Sequence, residues 1–258
     1  MIPKVVQPLT DLTVLVTRPA AQCGPLCAEI VRLGGAAIAF PAIAIEPIPC
    51  AGAARIEHDL VVFVSVNAVA HGASFVQKTA GMRVAAIGKA TAAALAAAQL
   101  PADIVPESGF TSEALLAHPD LRLGAGARVL IVRGEGGREL LQEALAANGT
   151  LVETLEVYRR TRPAIDERTL ADLETRWVEE GIDVVTVTSV ETLENLSAML
   201  TERGRELLRD ATLLAASRRI IDHAAAAGLR GGTILARGAD DAAMIGALVQ
   251  WRTRARTS

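Results

Sequence analysis

The sequence predicts an α/β protein: two lobes of parallel sheet flanked by helices, joined by two extended strands. Three observations lead there. Short β-branched runs, among them LVVFV, RVLIV and VVTVT, alternate with stretches of helical period, as in parallel sheets whose crossovers are helices. The chain repeats itself in two modules. Two proline-punctuated segments, AFPAIAIEPIP and LEVYRRTRP, each follow the same module and read as extended chain crossing between lobes.

The first module, a, runs strand, turn, helix, glycine, second strand. Its copies open at VLVTRPAAQCGPL and VLIVRGEGGRELL. They align without a gap at a separation of 115 positions, which pairs Val14 with Val129, Arg18 with Arg133, Leu26 with Leu141 and Gly34 with Gly149. The second module, b, runs strand then helix, three times over. DLVVFVSV meets DVVTVTSV at a separation of 124, pairing Asp59 with Asp183 and Ser65 with Ser189; by Gly88 and Ser217 the separation is 129. Small loop insertions account for the growth. The order is therefore a, b, a′, b′, with a charged amphipathic helix, DERTLADLETRWVEEG, leading into b′.

Composition limits the chemistry. Of 258 residues, 51% are hydrophobic and only 3% aromatic, so the core is built from Ala, Val, Leu and Ile, which lets helices pack closely on a sheet. A formal net charge of −3 argues against a nucleic-acid surface. MIPKVVQPLTDL carries no cleavage signature, and the longest alanine-rich run, ATAAALAAA, is too short to span a bilayer. The expectation is a cytoplasmic protein with reduced thiols. Cys23 and Cys27 share a helix face but have no His or Cys beside them to complete a metal site; they read as small buried residues. His58, His71, His118 and His223 lie in unrelated patterns, so no metal is expected, and His71 and His118 read as surface residues.

Candidate ligand groups gather at strand ends. RGEGGRE is neither a phosphate-binding Walker loop, since no Gly-Lys-Ser/Thr follows, nor a dinucleotide fingerprint, since Glu139 stands where the last glycine belongs. Its glycines serve either a tight turn or an anion at a helix N-terminus; Arg133 and Arg138 favour an acidic ligand. Ser65, Lys89 with Thr91, Thr111 with Ser112, Thr188 with Ser189, and Ser217 with Arg218 all follow apolar runs or open helices. Each alone reads as a helix cap. A row of them in both lobes also fits a ligand cleft beyond the carboxyl ends of parallel strands. Tyr158, the only tyrosine, lies at the second crossing segment, where packing and ligand contact are both open to it.

The motifs VLVTRPAAQ, VFVSVNAV, AAIGKATAAAL, SGFTSEALL, RGEGGRELLQEAL followed by VYRR, and VTVTSVETL, in this order and spacing, make the chain resemble the uroporphyrinogen-III synthases over essentially its whole length. The resemblance implies a swapped assembly in which a joins b′ and b joins a′. One lobe is then discontinuous, residues 1–45 plus 167–258, and the other is 48–162. It also implies a cofactor-free enzyme that closes the linear tetrapyrrole hydroxymethylbilane to uroporphyrinogen III. The terminal hydroxyl leaves and an azafulvene forms. The last ring is attacked at its substituted α-carbon, and the resulting spiro intermediate fragments and recloses with that ring inverted. Unassisted closure gives no inversion, so the enzyme's task is to orient one carbon over another. The substrate's eight carboxylates name the anion: acetates and propionates received by backbone N–H groups, hydroxyls and cationic side chains.

Residue by residue, the match carries over Ser65, Thr91, Ser189 and Tyr158, the last as proton donor to the leaving hydroxyl, with a modest role because the family tolerates its loss. Around them Arg18, Lys89, Arg133, Gly134, Thr188, Ser217, Arg218 and Arg219 are expected to bind substrate. The chain departs from the family after LLAA, where SRRII replaces a Gly and Thr, and at ARGADDAAM, which replaces a turn richer in Ser, Thr and Pro. Either Arg218, Arg219 and Arg237 bind the carboxylates there instead, or that lobe contributes less. The partner expected is the small-molecule substrate, with no nucleic acid, no membrane and a monomeric chain. Those departures alone support a second reading, a non-catalytic bilobal binding or regulatory protein for a polycarboxylate. A glycosyltransferase-like enzyme would share the two lobes, but the sequence carries no sugar-nucleotide signal.

Overall fold

A computed structural model describes residues 7–50, 57–107, 109, 111–137 and 139–257. Module a forms β1 (Thr13–Val16), α1 (Ala20–Arg32) and β2 (Ala36–Ala39), and the first crossing segment contains β3 (Ala44–Pro47). Module b gives β4 (Leu60–Phe63), α2 (Val66–Gly72), β5 (Arg83–Ala86), α3 (Lys89–Ala97) and α4 (Ser112–Leu116). Module a′ gives β6 (Arg128–Gly134), α5 (Leu140–Ala147) and β7 (Leu151–Thr161), and the charged helix is α6 (Glu167–Glu179), capped by Asp166, which accepts from the Thr169 N–H at 2.8 Å. Module b′ gives β8 (Val184–Val187), α7 (Val190–Met199), α8 (Glu202–Asp210), β9 (Thr212–Ala215), α9 (Arg218–Ala226), β10 (Thr233–Leu235) and α10 (Asp241–Thr257).

These strands make two five-stranded sheets, ordered β10-β9-β8-β1-β2 and β3-β7-β6-β4-β5. The assembly is swapped: β1 pairs in parallel with β8, Val14 opposite Val184, while β4 pairs in parallel with β6, Leu60 opposite Val129. One aspartate per copy fixes each junction. Asp183 accepts from the Thr13 N–H at 2.7 Å, and its repeat equivalent Asp59 accepts from the Arg128 N–H at 2.8 Å. Each also donates its own N–H to the carbonyl of the same residue, at 3.0 and 2.9 Å. By its contacts the chain divides into one unit that runs up to Ala44 and resumes at Thr161, and a second, Ile45–Arg160.

The inner strands are apolar runs because helices cover both faces; β4 and β8 are buried at every position. Alternation sorts their side chains into layers. In the first unit Leu15, Val185, Val187 and Leu213 meet Trp177, Leu196, Leu208 and Ile220 from α6 to α9. On the other face Val14, Val16, Val184 and Leu214 meet Leu26 and Ile30 of α1 and Met244 and Leu248 of α10. In the second unit Val61, Phe63, Leu130 and Val132 pack on α2 and α3, and Leu60, Val62, Val129 and Ile131 on α4 and α5.

Two details differ from the expected plan of three strands and three helices per copy of b. The third strand of b shrinks to one bridge, Ala85 to Ile104. Pro101 and Pro106 flank it, and each lacks the N–H that a longer ladder needs. In b′ the growth in separation is not only loop. It contains α8, where b has a single 3-10 turn at Ala73–Phe75. Buried Glu174 of α6 anchors its start, accepting from the N–H and hydroxyl of Thr201 at 2.9 and 2.7 Å. None of the described helices is long and apolar enough to cross a membrane.

Candidate active site

Tyr158 sits where β7 leaves its regular register. Arg133 lies opposite Glu156 but Gly134 lies opposite Tyr158, so Val157 is an extra residue in the ladder. Such a bulge re-aims the side chain that follows it. The Tyr158 ring, only 6% exposed, lies across Gly134. A Cβ on Gly134 would come within 2.5 Å of the ring and 2.9 Å of the hydroxyl, so the glycine serves close approach rather than an unusual backbone angle. The phenol oxygen lies 3.2 Å from Ser65 Oγ. Ser65 is the N-cap of α2 and accepts from the Ala68 N–H at 3.0 Å. From the last turn of the same helix, His71 packs its ring against Tyr158, centroids 6.1 Å apart. Three residues proposed from sequence, Ser65, Gly134 and Tyr158, are thus in contact. His71, expected at the surface, is instead half-buried against the phenol, because α2 must bury one face on β6 to cover the sheet.

Arg133 is buried beside this group. Its guanidinium donates to the carbonyl of Gly137 and lies 3.7 Å from Glu156. It lines a pocket of about 260 Å³ with Val64, Ile87, Thr111, Ser112, Ile131 and Gly137. The pocket opens beyond the carboxyl ends of β4, β5 and β6, the edge where open parallel sheets bind ligands. The glycine-rich stretch is mainly a turn: Gly136 has φ +65°, and α5 begins only at Leu140, with Glu139 at the cap position making no side-chain cap bond. Arg138 lies outside the described residues. At the end of β5, Lys89 opens α3 with an exposed side chain, whereas Thr91 is buried.

The first unit presents an equivalent edge. Arg18, the repeat partner of Arg133, is buried, and its guanidinium pairs with Asp241 and the Ala239 carbonyl at the start of α10. Its Nε is buried with no partner among the described residues. Two of its donors therefore tie the end of β1 to the start of α10. Thr188 is half-buried, and Ser189 caps α7, accepting from the Thr192 N–H at 3.0 Å. Ser217 occupies the cap position of α9 without a side-chain cap bond. Arg218 and Arg219 follow it, both exposed. Arg237 is exposed at the end of β10.

Sequence reasoning missed Glu156, Thr17 and Thr186. Glu156 faces Arg133 only because of the β6–β7 register. Thr17 and Thr186 are buried and bonded to each other, the Thr17 N–H donating to Thr186 Oγ1 at 3.2 Å. Their only sequence signal is a hydroxyl inside an apolar strand. The cysteines are packing residues: burial pushes the Cys23 thiol up to about 11 and also raises Cys27, so neither is a thiolate at neutral pH. Among the described residues no three His, Cys, Asp or Glu side chains gather as a metal site would require.

Comparison with known proteins gives a consistent result. A family model described as Uroporphyrinogen-III synthase HemD matches residues 25–245. A uroporphyrinogen-III synthase of Salmonella typhimurium is 36% identical over 220 residues, 80% of this chain and 88% of that protein. Its counterpart from Escherichia coli is 35% identical over 206 residues, 76% and 82% respectively. Two solved structures share the fold. A mutant uroporphyrinogen III synthase from Thermus thermophilus superposes with a TM-score of 0.55 at 21% identity, covering 96% of this chain and all of that one. The synthetase from Helicobacter pylori does so with 0.61 at 11% identity, covering 93% and 99%.

Proposed function

Since the chain belongs to the uroporphyrinogen-III synthase family, it is an enzyme of tetrapyrrole biosynthesis that cyclises hydroxymethylbilane with inversion of the last ring and loss of water, and we propose that Tyr158 supplies the proton that turns the departing hydroxyl into water. The observation that carries the activity is identity of 35 to 36% with two such synthases over three-quarters or more of the chain. The contact between Tyr158 and Ser65 supports the assignment of the acid.

The chemistry asks for two things. The hydroxyl must leave, which a positioned acid assists. The azafulvene must then meet the substituted α-carbon of the last ring before the free one, which is a matter of orientation. In our reading the carboxylates set that orientation. The pocket beside Arg133, with Thr111 and Ser112, takes one carboxylate on the second unit, and Lys89 and Thr91 in the first turn of α3 bind another. On the first unit Thr188, Ser189, Ser217, Arg218 and Arg219 take others. Arg18 and Gly134 act indirectly, Arg18 by tying the edge of its sheet and Gly134 by making room for Tyr158. We further propose that the enzyme works as a monomer in the cytoplasm and without nucleic acid, consistent with its net charge of −3.

The test is to supply freshly generated hydroxymethylbilane and score the isomer formed. The type III isomer is expected in excess. Only the uninverted isomer, at the uncatalysed rate, would refute the reading.

A further inference from the structure

We propose that Ser65 is a positioning residue for Tyr158 rather than a carboxylate ligand: its hydroxyl donates to the phenol oxygen, so that the phenol's own proton points to the substrate. This rests on the reading of Tyr158 as the acid.

What Ser65 already does leaves its hydroxyl proton available to the phenol oxygen. A serine hydroxyl has one proton and two lone pairs. One lone pair accepts from the Ala68 N–H at 3.0 Å, which caps α2. What remains faces the phenol oxygen at 3.2 Å: one proton and one lone pair. If the phenol donated to that lone pair, its proton would be held away from the substrate. If Ser65 donates instead, the phenol proton is free to leave and the phenol oxygen is solvated by a fixed donor as it turns into phenolate. The bond from Ala68 polarises the serine and makes it a better donor. The ring cannot turn away readily, because it lies on the bare backbone of Gly134 and against His71. Tyr158 is buried, so little water competes for the developing charge, the setting in which a preorganised donor matters most.

The step balances. The carbon–oxygen bond of the terminal hydroxymethyl breaks, its electron pair stays on oxygen, and that oxygen takes the phenol proton and leaves as water. The pyrrole ring nitrogen supplies the electrons that leave an azafulvenium, and Tyr158 becomes a phenolate. When the ring finally closes, the α-carbon that forms the new bond loses its proton, and the phenolate is reprotonated. The net change is loss of one water.

Ser65→Asp separates the roles of the serine. Aspartate caps a helix as well as serine does but has no proton to donate, and it would accept from the phenol. Tyr158→Phe is expected to lower kcat on the order of 10²-fold, the lower end for a general acid, in keeping with a family that tolerates loss of this tyrosine. Ser65→Asp should lower kcat by about as much while the thermal midpoint stays near the parent's. The double variant should be no slower than Tyr158→Phe within about twofold, because two residues acting as one unit do not add. Ser65→Thr, which keeps the donor and the cap, should recover most of kcat. Parent-like kcat in Ser65→Asp, losses that multiply in the double variant, or a Ser65→Thr as slow as Ser65→Asp would each overturn the proposal. Parent-like kcat in Tyr158→Phe would overturn the reading of the acid itself.

Discussion

A glycine can serve a site through what it lacks. Gly134 has neither a left-handed backbone nor a ligand to explain it; it is glycine because the Tyr158 ring occupies the space where a side chain would start. Gly134→Ala is therefore expected to act through the tyrosine. Overpacking of this kind costs about 1–3 kcal/mol of stability, visible in a denaturant melt. The displaced phenol should lower kcat toward that of Tyr158→Phe while KM changes little. A melt and a kcat equal to the parent's would mean that the ring moves aside without consequence. Ser65, Gly134 and Tyr158 could each be named from sequence, but not their meeting. Tyr158 and Ser65 are 93 residues apart and touch only because β7 slips register by one residue after Glu156. Arg18 teaches the opposite lesson. It shares its rhythm with Arg133, yet an aspartate 223 residues further on claims its guanidinium. A partner that distant leaves no local trace.

At the scale of the element, the duplicated modules were legible because their hydrophobic periods repeat in order. The junctions between them were legible only in part. Asp59 and Asp183 stand out as equivalent residues, yet nothing local says that each caps the first strand of the other copy's module. Replacing either by Ala is expected to cost about 1 kcal/mol, the worth of a hydrogen bond from backbone to an exposed carboxylate, with each loss read by hydrogen exchange in its own unit. The missing strand and the extra helix in the b copies were less visible, since prolines act on the ladder and α8 depends on a glutamate of another helix. Arg218 and Arg219 open α9 with exposed side chains. The double replacement by Ala should raise KM for the octa-anionic substrate several-fold with little change in kcat, because such contacts hold ground state and transition state alike. The defect should shrink as salt screens the parent's ion pairs. An unchanged KM at low ionic strength would make both residues ordinary surface charges.

The swapped sheets also give the whole molecule an order in time. Residues 45–160 hold one sheet complete, so that fragment alone should show a cooperative melt, and 1–44 should gain structure only when 161–258 is added. A fragment 45–160 without a thermal transition would contradict this. During synthesis the same arrangement imposes a wait. Val14 pairs with Val184, and a ribosome adding about 5–20 residues per second delivers that partner roughly ten to thirty seconds later. For that interval β1 has an open, apolar edge, the kind that recruits other chains, while the second unit can already have closed. Until β8 arrives, β1 is the segment through which the nascent chain is exposed to aggregation, and growth at lower temperature or with abundant chaperones should raise the yield of native enzyme.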